Sequence, residues 1–456
     1  VTVLLLMLQA LLGLCLLAFV AYTGIAVWAA RQWRRTRPAL PEDPYTISPA
    51  AASSLKLPAD WTPTATILKP VCGIDADAYE SFASFCRLDY PADCVQLVFG
   101  ALDANDPALE LVRRLQTEFP DSDIAIVAPE NNARDNTSKD WTPSESEQAT
   151  TEPKVNPLSA HGHNLKVRNL IQMLPAAKHD MLVLCDSDMR VTPDYLLRIV
   201  APFAANSANE SSLSSSPTPD NIVPQTNRTG KPVGLVTCPY RGCNPHSFAA
   251  VLEALGIGAD FIPSALVSRA LEGVSFAFGS TIALPRTVLA ELGGFEAIAD
   301  ELADDFRLGN GAAKAGYRVV LSDYVVEDML GAERFGAMWA RRLRWARTVR
   351  ACRPAGYAGA FVTYGTALAL LFLTATSFHL IGWAVLLMTL LVRIVSAVWI
   401  AARYTDDTNI VRWWWLLPIS DLFSFALYVM SFCGSQIVWR GQRFRLRSGG
   451  RIEAIE

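Results

Sequence analysis

The sequence predicts an α/β domain built on a mainly parallel sheet and flanked by transmembrane helices. Three observations predict it. Apolar runs of strand length alternate with helical stretches through the middle of the chain. One of them, Leu182-Val183-Leu184, lacks polar alternation and runs straight into Cys185-Asp186-Ser187-Asp188, so it reads as a strand covered on both faces with an acidic tip. Long, almost uncharged stretches stand near both ends.

Taken in order, residues 3–30 carry no charge and are long enough to span a bilayer. The basic cluster Arg31, Arg34, Arg35 and Arg37 follows the apolar run instead of preceding it, which marks an anchor (residues 1–30) rather than a cleavable leader. Positive charge stays cytoplasmic, so the next domain is expected inside. Residues 31–63 read as a linker, rich in Pro, Ala and Ser from residue 37 onward. The domain itself spans 64–350. Strands are expected at 64–70, 95–101, 124–128 and 233–237, and helices at 77–87 and 164–174. Asp106-Pro107 looks like a cap followed by Pro at the first helical position, opening a helix to about residue 119. Residues 131–160 and 206–231 are Ser/Thr/Asn/Pro-rich and read as disordered insertions.

Residues 248–271 are apolar with few charges and a break at Pro263, which suits a core helix or a segment on a membrane surface. A helix at 285–292 follows, and Asp304-Asp305 opens another to residue 315. Residues 339–345 form a basic helix with aromatic flanks. Residues 358–439 read as about three spans: two over 358–402, interrupted only by His379 and Arg393, and one over 413–439. Trp413, Trp414, Trp415 and Trp439 fit interfacial belts, and Asp421 lies inside that last span. A basic tail, 440–456, completes the chain. One span before the domain and three after it put this tail outside, whereas its arginines prefer the inside; a re-entrant segment would remove the conflict.

The net charge of −4 gives no reason to expect nucleic acid. Nine cysteines without a C-x-x-C pair or a Cys/His cluster favour neither structural zinc nor a disulfide framework, which fits a reducing compartment.

Three acidic clusters sit at element boundaries: Asp103 with Asp106, Asp186 with Asp188, and Asp304 with Asp305. Each has a plain alternative, since Asp favours turns and helix starts, and the basic helix could be a juxtamembrane face. Asp106 already has a capping role, which leaves Asp103 freer for a ligand. Together they suit a nucleotide-sugar enzyme. One acid contacts the nucleotide, a pair holds a divalent metal on the diphosphate, a third takes a proton from an acceptor hydroxyl, and arginines balance the leaving diphosphate. A processive polysaccharide synthase would want more spans; a non-catalytic membrane scaffold would not need the acids.

The chain resembles the ceramide glucosyltransferases, which have a GT-A type glycosyltransferase fold. The resemblance is carried by Leu68-Lys69-Pro70, Leu88-Asp89-Tyr90-Pro91, Asp106-Pro107-Ala108, residues 164–170, Cys185-Asp186-Ser187, Val233-Gly234-Leu235-Val236 and Trp439-Arg440-Gly441-Gln442-Arg443. The family pattern of three acids plus Arg-x-x-Arg-Trp falls on Asp103, Asp186, Asp305, Arg341, Arg344 and Trp345. The resemblance implies that Asp103 contacts uridine and that Asp186 and Asp188 hold Mg²⁺ or Mn²⁺. It makes Asp305 the base. Arg341, Arg344 and Trp345 bind the diphosphate, with Lys69 and Lys166 among the nucleotide-sugar contacts. It implies an inverting transfer from a UDP-sugar to a membrane lipid, with the domain cytoplasmic. Gly279-Ser280, Ala303-Asp304-Asp305 and residues 319–328 are closer to a bacterial branch, the hopanoid-biosynthesis glycosyltransferases, which implies N-acetylglucosamine as the sugar, a polyhydroxylated hopanoid as acceptor and a bacterial inner membrane.

Overall fold

The computed structural model describes residues 2–34, 62–129, 162–204, 230–439 and 442–455. The linker and both polar tracts fall almost wholly outside the described residues.

The expected strands form as β1 (Ala65–Pro70), β2 (Val95–Gly100), β3 (Asp123–Val127), β4 (Met181–Leu184) and β6 (Val233–Thr237). With β8 (Ile282–Pro285) and β9 (Arg318–Leu321) they make a seven-stranded sheet in the order β3-β2-β1-β4-β8-β6-β9. Every pairing is parallel except the two made by β8, so the sheet is mainly parallel, as a GT-A type domain requires. Its two faces carry separate cores. Ile67, Leu97, Phe99 and Val183 pack on one side, and Leu68, Val98, Leu182 and Leu184 on the other. Helix Ala78–Cys86 covers the first face and helix Leu165–Met173 the second. This two-sided burial is why β4 shows no polar alternation.

A second sheet, ordered β5-β10-β7, joins β5 (Met189–Arg190), β10 (Val326–Gly331) and β7 (Tyr240–Pro245). It fixes the chain just beyond β4. Glu327 of β10 pairs with Arg190 at 2.8 Å and Arg241 at 3.0 Å, and the Met329 N–H donates to the Asp188 carbonyl at 3.1 Å.

Residues 248–272 are helical throughout, with a π-turn at Ile257–Phe261 just before Pro263, and are largely buried against the rest of the chain. Among the described residues, four helices are long and apolar enough to cross a membrane: Val3–Arg34, Phe248–Glu272, Leu380–Thr405 and Trp414–Ser431. A pair, Pro354–Thr363 and Gly365–Ala375, bent by 60°, could make a fifth.

Their contacts set their directions. The Gln9 side chain donates to the Ala375 carbonyl at 2.7 Å, and Gly365 lies against the Phe19 ring. The bent pair therefore runs antiparallel to the first helix. Leu380–Thr405 returns, and its Arg403 carbonyl accepts from Arg34. The last apolar helix is tied to the α/β domain at both ends. Asn409, before it, donates to the Gly242 carbonyl at 2.8 Å, and Cys433, after it, accepts from Arg347 at 2.6 Å.

The expected span over 413–439 is therefore not one helix. It stops at Ser431, Gly434 turns the chain at φ 88°, and Trp439 lies in a strand. The basic tail is not a loose tail either. Strands β11 (Gln436–Trp439), β12 (Gln442–Leu446) and β13 (Ile452–Ala454) form an antiparallel sheet. Its apolar face (Ile437, Phe444, Leu446, Ile452) packs on Leu302 of the α/β domain. The sheet that carries Arg443 and Arg445 thus lies against the α/β domain.

Candidate active site

Two of the three acidic clusters converge. Asp186 follows β4, and Asp304 and Asp305 open the helix Asp304–Lys314. Lys166, one residue into the helix capped by Asn164, puts its Nζ 2.6 Å from Asp186 Oδ1 and 3.3 Å from Asp304 Oδ2. Gly279 links the other pair. Its N–H donates to Asp305 Oδ2 at 3.1 Å, and its carbonyl accepts from the Asp186 N–H at 3.1 Å. A Cβ at 279 would sit 2.5 Å from Asp186 Oδ2 and 3.0 Å from Lys166 Nζ, so only glycine allows this approach.

The electrostatics follow from three carboxylates sharing one ammonium. Burial alone would lower the Lys166 pKa, but Asp186, Asp304 and Asp305 outweigh it and hold the ammonium charged. Burial, then the neighbouring Asp304, pushes Asp305 up to about 6. That places a carboxyl group near neutrality, where a general base operates best.

Asp188 faces the other way. Burial, then Asp186 and Asp75, pushes it up to about 7, and its Oδ1 is buried without a hydrogen-bond partner. An orphaned carboxylate oxygen beside a part-exposed Asp186 fits a hard divalent cation that takes its other ligands from water and phosphate. Among the described residues, no group of three or more His, Cys, Asp or Glu side chains surrounds a common point, so such an ion would depend on the substrate for much of its shell.

Asp103 lies exposed in the loop after β2 and accepts from the Asn105 N–H at 2.9 Å. It shares the carboxyl edge of the sheet with Asp186 but sits two strands away, about 10 Å at ordinary strand spacing. Asp106 performs the structural role expected of it, accepting from the N–H groups of Ala108 at 2.9 Å and Gly73 at 2.9 Å.

Lys69 differs from expectation. It is fully buried, its Nζ donates to the Asp186 carbonyl at 2.8 Å, and it lies 4.0 Å from the Phe85 ring centre. It supports the Asp186 loop from beneath and has no exposed surface to offer a donor sugar. Arg341 is also engaged elsewhere, by Glu253 and by Glu333. Its guanidinium lies 5.6 Å from the Trp345 ring, and Arg344 lies 5.4 Å from the ring of Trp439.

Four further groups belong to this region. Asp75, beyond β1, accepts from the Ser187 hydroxyl. Asp328 of β10 is buried, and burial followed by Asp188 and Glu253 holds its pKa well above the carboxylate range. Glu253, fully buried, keeps one oxygen without a partner. Tyr240 feels Asp328, Glu253, Asp305 and Asp186 together. Of these only Asp75, an acid shortly after a strand end, left a signal in the sequence. Asp328 and Tyr240 depend on the pairing of β10 with β7, and Glu253 on the packing of helix Phe248–Gly256.

The model of glycosyl transferase family 21 matches residues 14–138, 155–214 and 219–452. Ceramide glucosyltransferase 1 of Caenorhabditis elegans is 21% identical over 412 residues, covering 86% of this chain and 73% of that protein. The ceramide glucosyltransferase of Candida albicans is 29% identical over 143 residues, 31% of this chain and 23% of that protein. Among solved structures, the mannosyltransferase PcManGT from Pyrobaculum calidifontis in complex with GDP-Man and Mn²⁺ is 17% identical. It covers 93% of this chain and 99% of its own, with a TM-score of 0.45. With the match extending over nearly the whole chain, this protein, a glycosyltransferase, belongs to glycosyl transferase family 21.

Proposed function

We propose that the protein is a membrane-embedded, inverting glycosyltransferase that moves a sugar from a UDP-sugar to the hydroxyl of a membrane lipid on the cytoplasmic side. The observation that carries this reading is the meeting of Asp186, Asp305 and Lys166 at Gly279, at the carboxyl edge of the sheet. Ligands of open α/β sheets bind at that edge. Asp103 takes the uridine end. Asp186 and Asp188 would hold Mg²⁺ or Mn²⁺, which would supply positive charge to the diphosphate. Lys166 holds Asp186 and Asp304 in place. Asp305 removes the proton from the acceptor hydroxyl. The freed oxygen attacks the anomeric carbon, the bond from that carbon to the diphosphate breaks, and UDP leaves with the electron pair. Arg341 exchanges Glu253 and Glu333 for the departing phosphates, joined by Arg344 and Trp345.

A lipid acceptor is supported by what lies beside the site. A small cavity of about 30 Å³ opens among the apolar helices and is lined in part by Phe19, Tyr22, Asp260, Ser264 and Arg393. Phe261, next to Asp260, has its ring 4.7 Å from that of Phe278, and Phe278 directly precedes Gly279. Through Phe261 and Phe278 the apolar helices reach the residues beside Asp305, which suits an acceptor held at a membrane.

The test is a product assay on detergent-purified protein with Mn²⁺, read by mass spectrometry. UDP-glucose and UDP-N-acetylglucosamine are each offered with ceramide and with a polyhydroxylated hopanoid. A glycosylated lipid is expected, and its identity decides between the two acceptors. Absence of any glycolipid, with UDP released only to water, would reject a lipid acceptor.

A further inference from the structure

The loop at residues 299–302 leads directly into Asp304 and Asp305, and it is gripped from two sides. One grip belongs to the Lys166 helix. The Asn164 N–H donates to the Ala299 carbonyl at 2.8 Å, and the Asn164 side chain donates to the Glu301 carbonyl at 2.7 Å while capping that helix. The His163 ring and main-chain N–H both bond Asp300.

The other grip comes from the far end of the chain. The Leu302 N–H donates to the Gly450 carbonyl at 2.9 Å, and the Ile452 N–H donates to the Asp300 carbonyl at 2.8 Å. Arg307, one turn into the Asp305 helix, donates to the Gly449 carbonyl at 2.6 Å and pairs with Glu301 at 3.0 Å. The Gly449 carbonyl also accepts from the thiol of Cys352, the last residue of the helix that carries Arg341, Arg344 and Trp345.

The turn is built for this insertion. Gly449 and Gly450 have φ of 85° and 102°, where an L-residue is strained. A Cβ on Gly450 would come within 2.7 Å of Cys352 Sγ, and one on Gly449 within 3.0 Å of an Arg307 nitrogen. A single two-glycine turn thus touches both the helix bearing Asp305 and the helix bearing the arginines. Displacing reacting groups by about 1 Å can cost on the order of 100-fold in rate.

We propose that the Gly449–Gly450 turn, acting through Arg307, positions Asp305 against the acceptor hydroxyl and in register with the arginine helix. Arg307 is a positioning residue and does not touch substrate. The proposal rests on the assignment of Asp305 as base.

The experiment measures initial transfer rates on full-length Arg307→Gln, Arg307→Lys and Gly450→Ala proteins, alone and, for Arg307→Gln, combined with Asp305→Asn. The expected result is a kcat at least tenfold lower for Arg307→Gln and Gly450→Ala, with the KM for the UDP-sugar within twofold of wild type. Arg307→Lys is expected to recover part of the loss. In the Asp305→Asn background, Arg307→Gln is expected to change the residual rate by less than twofold, because the two residues act as one unit. If Gly450→Ala does not fold, Arg307→Gln carries the test. A folded Arg307→Gln with kcat within twofold of wild type overturns the proposal. So does a loss that multiplies undiminished with Asp305→Asn, which would make the turn a brace for stability. Near-normal turnover by Asp305→Asn alone would instead remove the base assignment on which the proposal stands.

Discussion

Two buried clusters in this molecule share one recipe, a single cation paired directly with two carboxylates, and they end in opposite states. Arg393, among the apolar helices, bonds Asp421 through Nε at 3.0 Å, the Ala259 carbonyl through Nη1 at 2.8 Å, and Asp260 through Nη2. Thr366 completes Asp421, and Ser424 completes Asp260 at 2.8 Å. No side-chain nitrogen or oxygen of that cluster is buried without a partner. Around Lys166 the account does not close. Asp304 Oδ2 has only the Lys166 ammonium, 3.3 Å away, Asp188 keeps a buried oxygen without a partner, and Asp186 is about a third exposed. A satisfied network is a rigid part, whereas an unsatisfied one in a native fold calls for an explanation such as an absent ligand or ion.

This contrast can be broken experimentally. The largest effect is expected for Asp305→Asn, which should lower kcat by roughly 100- to 10,000-fold, the range of general-base catalysis, with the melting temperature unchanged. Arg393→Met strands two carboxylates in an apolar setting and should cost about 3–5 kcal/mol of stability, measured by unfolding in detergent. Lys166→Met should cost less stability than Arg393→Met, because Asp186 can reach water, and should weaken donor binding more. If the two lysine and arginine variants melt alike, the clusters do not differ in kind.

The pH dependence is a smaller effect. As the proposed base, Asp305 must be ionised to accept a proton, and its pKa is raised to about 6. The profile of kcat/KM should therefore be flat above that pH and fall about tenfold for each unit below it. An unperturbed Asp would hold its rate down to about pH 4. The smallest effect is Thr366→Val, which removes one hydrogen bond from Asp421 and should cost about 1 kcal/mol in the same unfolding assay.

What the sequence could show follows the same division. Local signals were accurate where one segment carries the whole message. The unbroken run Leu182-Val183-Leu184 forecast a strand buried on both faces, and Asp304 was placed at a helix start. Signals failed where the structure depends on partners far along the chain. β8 has only four residues and takes its direction from β4 and β6. Trp439 suited a membrane belt by composition, but Gly434 and the pairing of β11 with β12 made it part of a sheet. Asp328 and Glu253 gain their importance only from Asp188 and Arg341, which reach them through tertiary packing.

The ring cluster beside Gly279 bears on a different competition. Phe278 packs at 5.1 Å from Phe276, at 4.7 Å from Phe261 and at 6.4 Å from Tyr240, so the wall next to the base is aromatic on the side facing the apolar helices. Water at molar concentration rivals any acceptor for an activated sugar, and closing it out is a recognised protection against hydrolysis. A greasy wall discriminates by solvation: bulk water gains nothing by entering, while an alcohol tethered to a hydrocarbon chain arrives already desolvated. On the proposed reading, these rings would set the fraction of sugar that reaches product instead of being lost to water, independently of how fast the base works.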